Sequence, residues 1–591
     1  MTPYIPRRTI SRSRRPLNCS ALREIADKEG EEVSCIADAF ANWTIADTSF
    51  IPDPQTYHEA MESSDHMKWR EATSEEWNAL LINKTFEIFG PGDDHEPITV
   101  PSDIKPIGSK WIYKVKLNPD GSRRYKVRLV VKGYLQVYGI DYTETFAPVS
   151  KLSTFRTLLA LSARNGWRIY HLDVVTAFLN PKIDRDNIYM ELPEGMEWID
   201  PRVTPKAKVR LLKSLYGLKQ SPRLWYQTIN AFLLSLGLDQ SSADSNLYIT
   251  NGALVLLYVD DTSVFDTSDP DSKEAGTVAS RIMTALKSEY KMSDLGPIQR
   301  FLGMDVRHTE NGLTLDQETY IDTMVRKYNL QDARRCYSPL DPNVRLENGE
   351  CEDRPANKQD YQSLIGSLMY AALGTRPDIS FAVAALSKYN FSPLTTHMTA
   401  AIRVLRYLKT TAHFRLHFEN SGPLLDGFTD SDWAGCRATR KSVGGHIFLI
   451  GGSPVSWQAK GQTVVALSTL EAELIACSDG TREALWLKRL LSDLGAIGSG
   501  YSVSIHCDNQ GALKLIHSGV FKAKTKHIAI KHLHAHDEQE KGNVRFTYIE
   551  SEKNLADILT KALPRPRHQT LTDTMTLSGR KENLTELGKR G

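Results

Sequence analysis

Three aspartates are the residues best placed for chemistry. Asp260 and Asp261 sit side by side at the end of the apolar run Leu254-Val255-Leu256-Leu257-Tyr258-Val259, and Asp173 closes the alternating stretch Arg168-Ile169-Tyr170-His171-Leu172. A sheet pairing the two stretches gathers three carboxylates at one edge, and such a cluster calls for hard divalent cations. Two cations held this way activate a hydroxyl, clamp a triphosphate and stabilise the leaving oxygen of an in-line displacement, which is nucleotidyl transfer. A Tyr-x-Asp-Asp string alone recurs by chance, and its plain alternative is a strand-end turn.

The elements that must position these acids are legible on both sides. A helix is expected over 154–163, a strand over 168–173 and a second strand over 254–259. Ahead of them Trp111-Ile112-Tyr113-Lys114-Val115-Lys116, the turn residues Asn118-Pro119-Asp120-Gly121 and Tyr125-Lys126-Val127-Arg128-Leu129-Val130-Val131-Lys132 read as a basic hairpin. Met61, Trp69, Trp77 and Leu81 fall at helical spacings, so order is expected from near Pro52. After about 310 the pattern becomes amphipathic helices, including 361–373 and 399–408, joined at Thr375-Arg376-Pro377-Asp378. A strand-rich unit opens at Leu424 and runs to about Leu563. In it Gly427-Phe428-Thr429 leads into Asp430-Ser431-Asp432, strands are expected over 446–450, 453–460, 502–508 and 544–549, and a mixed sheet follows. Ser468 and Glu471 stand in capping-box spacing before a helix that carries Glu473, and Asp557 is expected to open the last helix.

Composition bounds the rest. At 591 residues the chain exceeds one core and suggests roughly three to four folding units. With 41% hydrophobic and 24% charged residues it is a folded rather than a disordered chain. Its 73 basic and 71 acidic residues give +2, which neither demands nor excludes a polyanionic partner, because a groove depends on local charge. Seven scattered cysteines without a C-x-x-C pair argue against a disulfide framework and a zinc knuckle, and fit a reducing compartment. The sequence holds neither a membrane-length apolar run nor a secretory signal. Arg7, Arg8, Arg12, Arg14 and Arg15 lie among Ser and Pro, as a solvated tail, a nucleic-acid arm, a nuclear signal or a transit peptide would have them. His527, His532, His534 and His536 invite a metal-site reading that a solvated helix face explains as well.

Ordered strings around the aspartates carry a resemblance. His171-Leu172-Asp173-Val174-Val175-Thr176-Ala177-Phe178-Leu179-Asn180, then Ser214-Leu215-Tyr216-Gly217-Leu218-Lys219-Gln220-Ser221-Pro222-Arg223-Leu224-Trp225-Tyr226, then Tyr258-Val259-Asp260-Asp261 stand in the order of reverse-transcriptase palm motifs. The chain resembles the Ty1/copia class of retrotransposon polymerases. Lys126 to Gly133 and Gly139-Ile140-Asp141-Tyr142-Thr143-Glu144-Thr145-Phe146-Ala147-Pro148-Val149 look like that class's fingers region, and Phe301-Leu302-Gly303-Met304-Asp305-Val306 sits at its primer grip. The likeness runs from about Thr56 to Leu563.

The resemblance implies an α+β multidomain chain: a right-hand polymerase of fingers, palm and thumb, followed by a ribonuclease H-like mixed-sheet α/β domain. Its divisions would be a basic, disordered tail at 1–50, fingers and palm at 51–310, thumb and connection helices at 311–420, the ribonuclease H-like domain at 421–565 and a polar tail at 566–591. Asp173, Asp260 and Asp261 would hold the metals with the Val174 carbonyl as an extra ligand, and Lys126 and Arg128 would meet the triphosphate, where a solvated hairpin is their alternative. Phe178 would exclude a ribose 2′-hydroxyl, although a plain core Phe looks the same in sequence. Gly217, Lys219 and Ser221 would line the nucleotide and template side. Asp430, Glu473, Asp508 and Asp557 would be the nuclease acids, with Asp432 the rival of Asp430 and Glu471 the rival of Glu473; the family's Thr-x-Glu-Ala-Glu pattern favours Glu473. Each centre would take two Mg²⁺ or Mn²⁺ ions.

The implied function is RNA-directed DNA synthesis with degradation of RNA in RNA–DNA hybrids. The partners would be an RNA template, a DNA primer, the hybrid and deoxynucleoside triphosphates, with no membrane and with a homo-oligomer allowed. Such a protein would work in the cytoplasm, associated with a particle, with access to the nucleus. The sequence departs from the family at Ala529 and His534, and residues 551–555 lack the His that cellular ribonucleases H place before the last Asp. Protease, zinc-knuckle and integrase motifs, which a complete element carries upstream, are absent, so the chain reads as a terminal part of one. The alternative is a catalytically inactive remnant that only binds nucleic acid; the intact acids speak for the enzyme.

Overall fold

Alternation in the strand Arg123–Val131 turns Val127, Leu129 and Val131 into the core and leaves Lys126 and Arg128 together on the opposite face. The computed structural model that shows this describes residues 53–88, 98–117, 122–204, 206–268, 276–346, 353–435, 439–519, 529–575 and 577. The amino-terminal tail with its arginines, the turn at 118–121, His527 and most of the expected carboxy-terminal tail lie outside the described residues. The fold is mixed α/β, and among the described residues its strands form four sheets.

The first sheet runs Phe86–Glu87, Lys208–Leu211, Tyr189–Glu191, Ile107–Leu117, Arg123–Val131, the last two pairing as the basic hairpin. Trp69 and Trp77 of the helix His66–Ile82 join its core. The second sheet runs Met292–Pro297, Arg168–Val174, Asp261–Asp266, Ala253–Tyr258, Leu247–Thr250, Asp239–Gln240. Ala253–Tyr258 is buried at every position because both faces are covered. Leu254, Leu256 and Tyr258 share a core with the helix Leu152–Asn165, and Val255 and Leu257 share another with the helices Ser221–Ser235 and Val278–Glu289. Double coverage is why its sequence is an unbroken apolar run rather than an alternation.

The third sheet pairs Arg300–Phe301, Met304–Thr309, Gly312–Asp316 and Leu416–Glu419. The division expected at 310 therefore falls inside a hairpin, and the last strand of that sheet comes from beyond the helices Lys358–Gly374 and Thr395–Thr410. Met304 and Val306 are buried on either side of Asp305, and Leu313 to Asp316 are buried throughout, stretches too short to stand out beside the helical pattern that follows.

The fourth sheet runs Ser453–Gly461, Val443–Ile450, Asp426–Ser431, Val503–Cys507, Val544–Tyr548; the first three are antiparallel neighbours and the last two join in parallel. The helix Thr469–Asp493 starts at Ser468, whose hydroxyl accepts the Glu471 amide at 3.2 Å, while Glu471 Oε2 accepts the Leu467 amide at 2.7 Å. Asp557, expected to open a helix, lies in the short 3₁₀ turn Leu555–Leu559. The expected polar tail instead begins with the helix Arg565–Thr574: Pro566 suits a first turn, and His568, Leu571, Met575 and Leu577 are buried.

The fourth sheet is fastened to the second. Buried Arg156, on the helix Leu152–Asn165, donates to the Val455 and Leu373 carbonyls at 2.7 Å and lies 3.8 Å over the Trp457 ring. Asp493 accepts from the Ser241 hydroxyl at 2.7 Å and the Ser242 amide at 2.8 Å. One hydrophobic cluster runs from Leu152 to Leu577 through both units.

Candidate functional site

A two-residue turn sets the first group of acids. Tyr258 pairs with Asp261 across it, leaving Val259 and Asp260 at the tip. Val259 has φ at 60°, a conformation that costs a β-branched residue roughly 1–3 kcal/mol and is found where surrounding contacts impose it. Here the Trp225 indole donates to the Val259 carbonyl at 2.6 Å, and the Val174 amide donates to the Asp260 carbonyl at 3.0 Å. Asp261 in turn pairs with Asp173 on the neighbouring strand, so the structure brings the three expected aspartates to one sheet edge. His171, two residues before Asp173 and therefore on its face, meets Asp261 Oδ1 through Nε2 at 3.0 Å. Burial pushes the Asp260 carboxyl up to about 6, and the charges of Asp261 and Asp173 add to the push.

A column of rings and charge leads to these acids from the basic hairpin. The Arg128 guanidinium lies 4.6 Å over the Tyr216 ring, which meets the Phe178 ring edge-on at 5.2 Å. Burial pushes the Tyr216 hydroxyl up to about 12, and Arg128, Asp260 and Asp173 are among the charges that act on it. Sequence reasoning did not single out Tyr216 or His171, although both stand inside the quoted strings; only the tertiary pairing marks them.

The remaining expected contacts divide. The Lys219 ammonium donates to the Tyr142 hydroxyl at 2.9 Å. Gly217 has φ at +92°, and a Cβ there would collide with the Val131 carbonyl, so this glycine serves the crossing of its loop over the hairpin. Ser221 is buried and its hydroxyl donates to the Leu215 carbonyl at 2.7 Å. It opens the helix Ser221–Ser235, and its hydroxyl is engaged by the turn that precedes that helix.

The second group of acids is tighter. Asp430 is the last residue but one of the strand Asp426–Ser431, Asp508 follows another, Glu473 lies in the first turns of the helix Thr469–Asp493, and Asp557 lies in the 3₁₀ turn. Carboxylate oxygens of Asp430, Asp508 and Asp557 lie within 4.8 Å of one another, as do ligand atoms of Glu473, Cys507 and Asp508. Asp508 is common to both sets. The rivals are occupied elsewhere: Asp432 accepts the Val443 amide, and Glu471 caps its helix. Burial, then the charge of Asp430, raises the Glu473 carboxyl well above its ordinary range, and Glu473 Oε2 is buried without a hydrogen-bond donor. Burial pushes Asp430 up to about 7 against the opposing charge of Lys561. Among the described residues no histidine joins a metal-ligating cluster; His536 meets the Ile516 carbonyl at 2.6 Å through Nδ1.

These shifts predict a pH dependence for the metal-free protein. The folded Asp430 carboxyl keeps its proton up to about pH 7, whereas the unfolded one loses it near 3.8. The stability contributed by that proton is complete below the unfolded value and is lost as pH rises through the folded one. In EDTA, the thermal midpoint of the parent should fall relative to that of Asp430→Asn between about pH 4 and about pH 7, and Mg²⁺ should reverse the fall. A constant difference between the two proteins across that range would contradict the assignment.

The family model for reverse transcriptase (RNA-dependent DNA polymerase) matches residues 94–342. The retrovirus-related Pol polyprotein from transposon TNT 1-94 of Nicotiana tabacum is 36% identical over 532 residues, which make up 88% of this chain and 38% of that protein. The chain thus spans less than two fifths of that relative's length. A transposon Ty5-1 protein of Saccharomyces cerevisiae is 32% identical over 328 residues, 53% of this chain and 100% of that protein. Among solved structures, ribonuclease H1 from Halobacterium salinarum matches 23% of this chain and 93% of its own, at 15% identity and a TM-score of 0.18.

Proposed function

This chain belongs to the Ty1/copia-type retrotransposon Pol polyproteins and carries their reverse transcriptase domain, and from that membership we propose that it is an RNA-directed DNA polymerase with a carboxy-terminal ribonuclease H acting on RNA–DNA hybrids. The observation that carries the reading is the register that pairs Asp261 with Asp173 at the end of the Arg128–Tyr216–Phe178 column. In this reading the first sheet is the fingers, the second the palm, the helices Lys358–Gly374 and Thr395–Thr410 belong to the thumb and connection, and the fourth sheet is the nuclease. The partners are an RNA template, a DNA primer, the hybrid and deoxynucleoside triphosphates; the work is cytoplasmic and particle-associated, with access to the nucleus.

The donor chemistry fits Mg²⁺ or Mn²⁺. Each centre offers hard carboxylate oxygens, and the buried, donor-free Glu473 Oε2 is a group that a cation would satisfy. Two ions per centre, held by Asp173, Asp260 and Asp261 with the Val174 carbonyl and by Asp430, Glu473, Asp508 and Asp557, would supply Lewis-acid activation of the nucleophile and neutralise the leaving oxygen. The chain's own side chains do the rest. Lys126 and Arg128 share the face that meets the triphosphate, with Arg128 steadied by the Tyr216 ring. His171 orients the Asp261 carboxylate. Lys219 faces the template side from its bond to Tyr142.

Phe178 selects the sugar by bulk. Phe178→Ala should raise ribonucleotide incorporation relative to deoxynucleotide by roughly 10–200-fold, the range that small differences of fit in an apolar pocket yield. Primer extension on an RNA template with each nucleotide type measures this, and unchanged discrimination would remove Phe178 from the role. The same assay tests the whole proposal: a folded parent that makes no product with Mg²⁺ or Mn²⁺ would defeat it.

A further inference from the structure

Two basic side chains reach the carboxy-terminal acids, and they are held differently. Arg567 donates to Asp557 Oδ2 at 3.0 Å while its guanidinium also bonds the Ser551 carbonyl at 2.6 Å and the Glu552 carbonyl, so it is fixed to the main chain. Lys561 pairs with acids on two elements: its Nζ lies 2.7 Å from Asp557 Oδ1 and 3.8 Å from Asp430 Oδ2. Those carboxylates belong to the set that, with Asp508, closes to within 4.8 Å. Lys561 thus places its positive charge against the oxygens that a cation between Asp430 and Asp557 would use. Among the described residues no ion pair reaches Glu473 or Asp508 on the opposite side of the cluster, and Glu473 Oε2 lacks a donor, as Asp557 Oδ1 does apart from its pairing with Lys561. The Lys561 side chain is 45% exposed and its stem is flexible, so it has room to swing out.

We propose that Lys561 is a resident cation of the carboxy-terminal centre: its ammonium holds the Asp430–Asp557 side of the acid cluster until a divalent ion displaces it. The two ion positions are then unequal. The ion on the Glu473–Asp508 side binds without competition, and the ion on the Asp430–Asp557 side binds against the protein's own charge. This rests on the reading of these acids as a two-metal centre. It makes Lys561 a brake on loading the second ion, one that bound hybrid can release by drawing the ammonium toward phosphate.

Mn²⁺ binding to the full chain, followed by calorimetry and by the electron paramagnetic resonance signal of free Mn²⁺, tests the proposal without relying on turnover. The parent should show a weaker class of sites that Asp508→Asn removes. Lys561→Met should tighten that class about tenfold, the scale of one partly solvated charge a few ångströms away, whereas Lys561→Arg, which keeps the charge, should stay near the parent. An unchanged isotherm for Lys561→Met would overturn the proposal, and so would weaker hybrid binding at unchanged Mn²⁺ affinity, which would mark a plain phosphate contact. If no Mn²⁺ binding is sensitive to Asp508→Asn, the two-metal reading of this centre falls, and the proposal with it.

Discussion

Asp260→Asn is expected to lower the rate of primer extension by about 10³-fold or more, a loss of roughly 4 kcal/mol of transition-state stabilisation, while the protein stays folded. The substitution keeps the shape of the side chain. The bonds that hold the strained tip, from Trp225 to the Val259 carbonyl and from Val174 to the Asp260 carbonyl, engage only the main chain at 259 and 260. What is lost is a carboxylate crowded by Asp261 and Asp173, the kind of site that a divalent ion relieves. Single-turnover extension of a DNA primer on an RNA template, with circular dichroism melting as the folding control, gives the result. Extension near the parental rate would remove Asp260 from the centre.

Asp508→Asn should reduce cleavage of RNA in a hybrid by a comparable factor, about 10³-fold. Asp508 is singled out because it belongs to both sets of close ligand atoms, so its loss affects both sides of the cluster. Cys507 shares one set, yet it is buried, its thiol is pushed up first by its hydrogen bond with Cys477, and a neutral thiol is a poor ligand for a hard ion. The matched control is Asp432→Asn, whose carboxylate accepts the Val443 amide at the strand end. It should lose a fraction of stability and retain most of the cleavage. Labelled RNA annealed to DNA reports both, and equal losses for the two variants would count against the choice of acids.

Local pattern was legible wherever neighbours in sequence are neighbours in space. The run ending at Asp260 and the alternation ending at Asp173 mark strands whose bounds, Ala253–Tyr258 and Arg168–Val174, are close to the expected ones. Ser468 marks the start of its helix. The less legible features all depend on distant partners. Ser221 stands in the same string as Lys219, but its hydroxyl is spent on the Leu215 carbonyl inside a turn. The strand Gly312–Asp316 takes its second neighbour from Leu416–Glu419, about a hundred residues on, so no local reading could keep it with the hairpin that precedes it. Polar residues hid the helix Arg565–Thr574, since the few that are buried, such as His568 against the Asp378 carbonyl at 3.0 Å, dock on a unit far back in the chain. His171, Tyr216 and Lys561 gain their meaning only from the carboxylates and rings that folding brings beside them.

The central claim is that one chain carries two separate acid centres for chemistry at phosphorus. Its most direct test is a single reaction: a 5′-labelled DNA primer on an RNA template carrying a second label, with deoxynucleotides and Mg²⁺, run with the parent, Asp260→Asn and Asp508→Asn. The parent should show primer growth with RNA shortening, Asp260→Asn intact cleavage of preformed hybrid without growth, and Asp508→Asn growth without shortening. Loss of both activities in either folded variant, or retention of both in either, would contradict the claim.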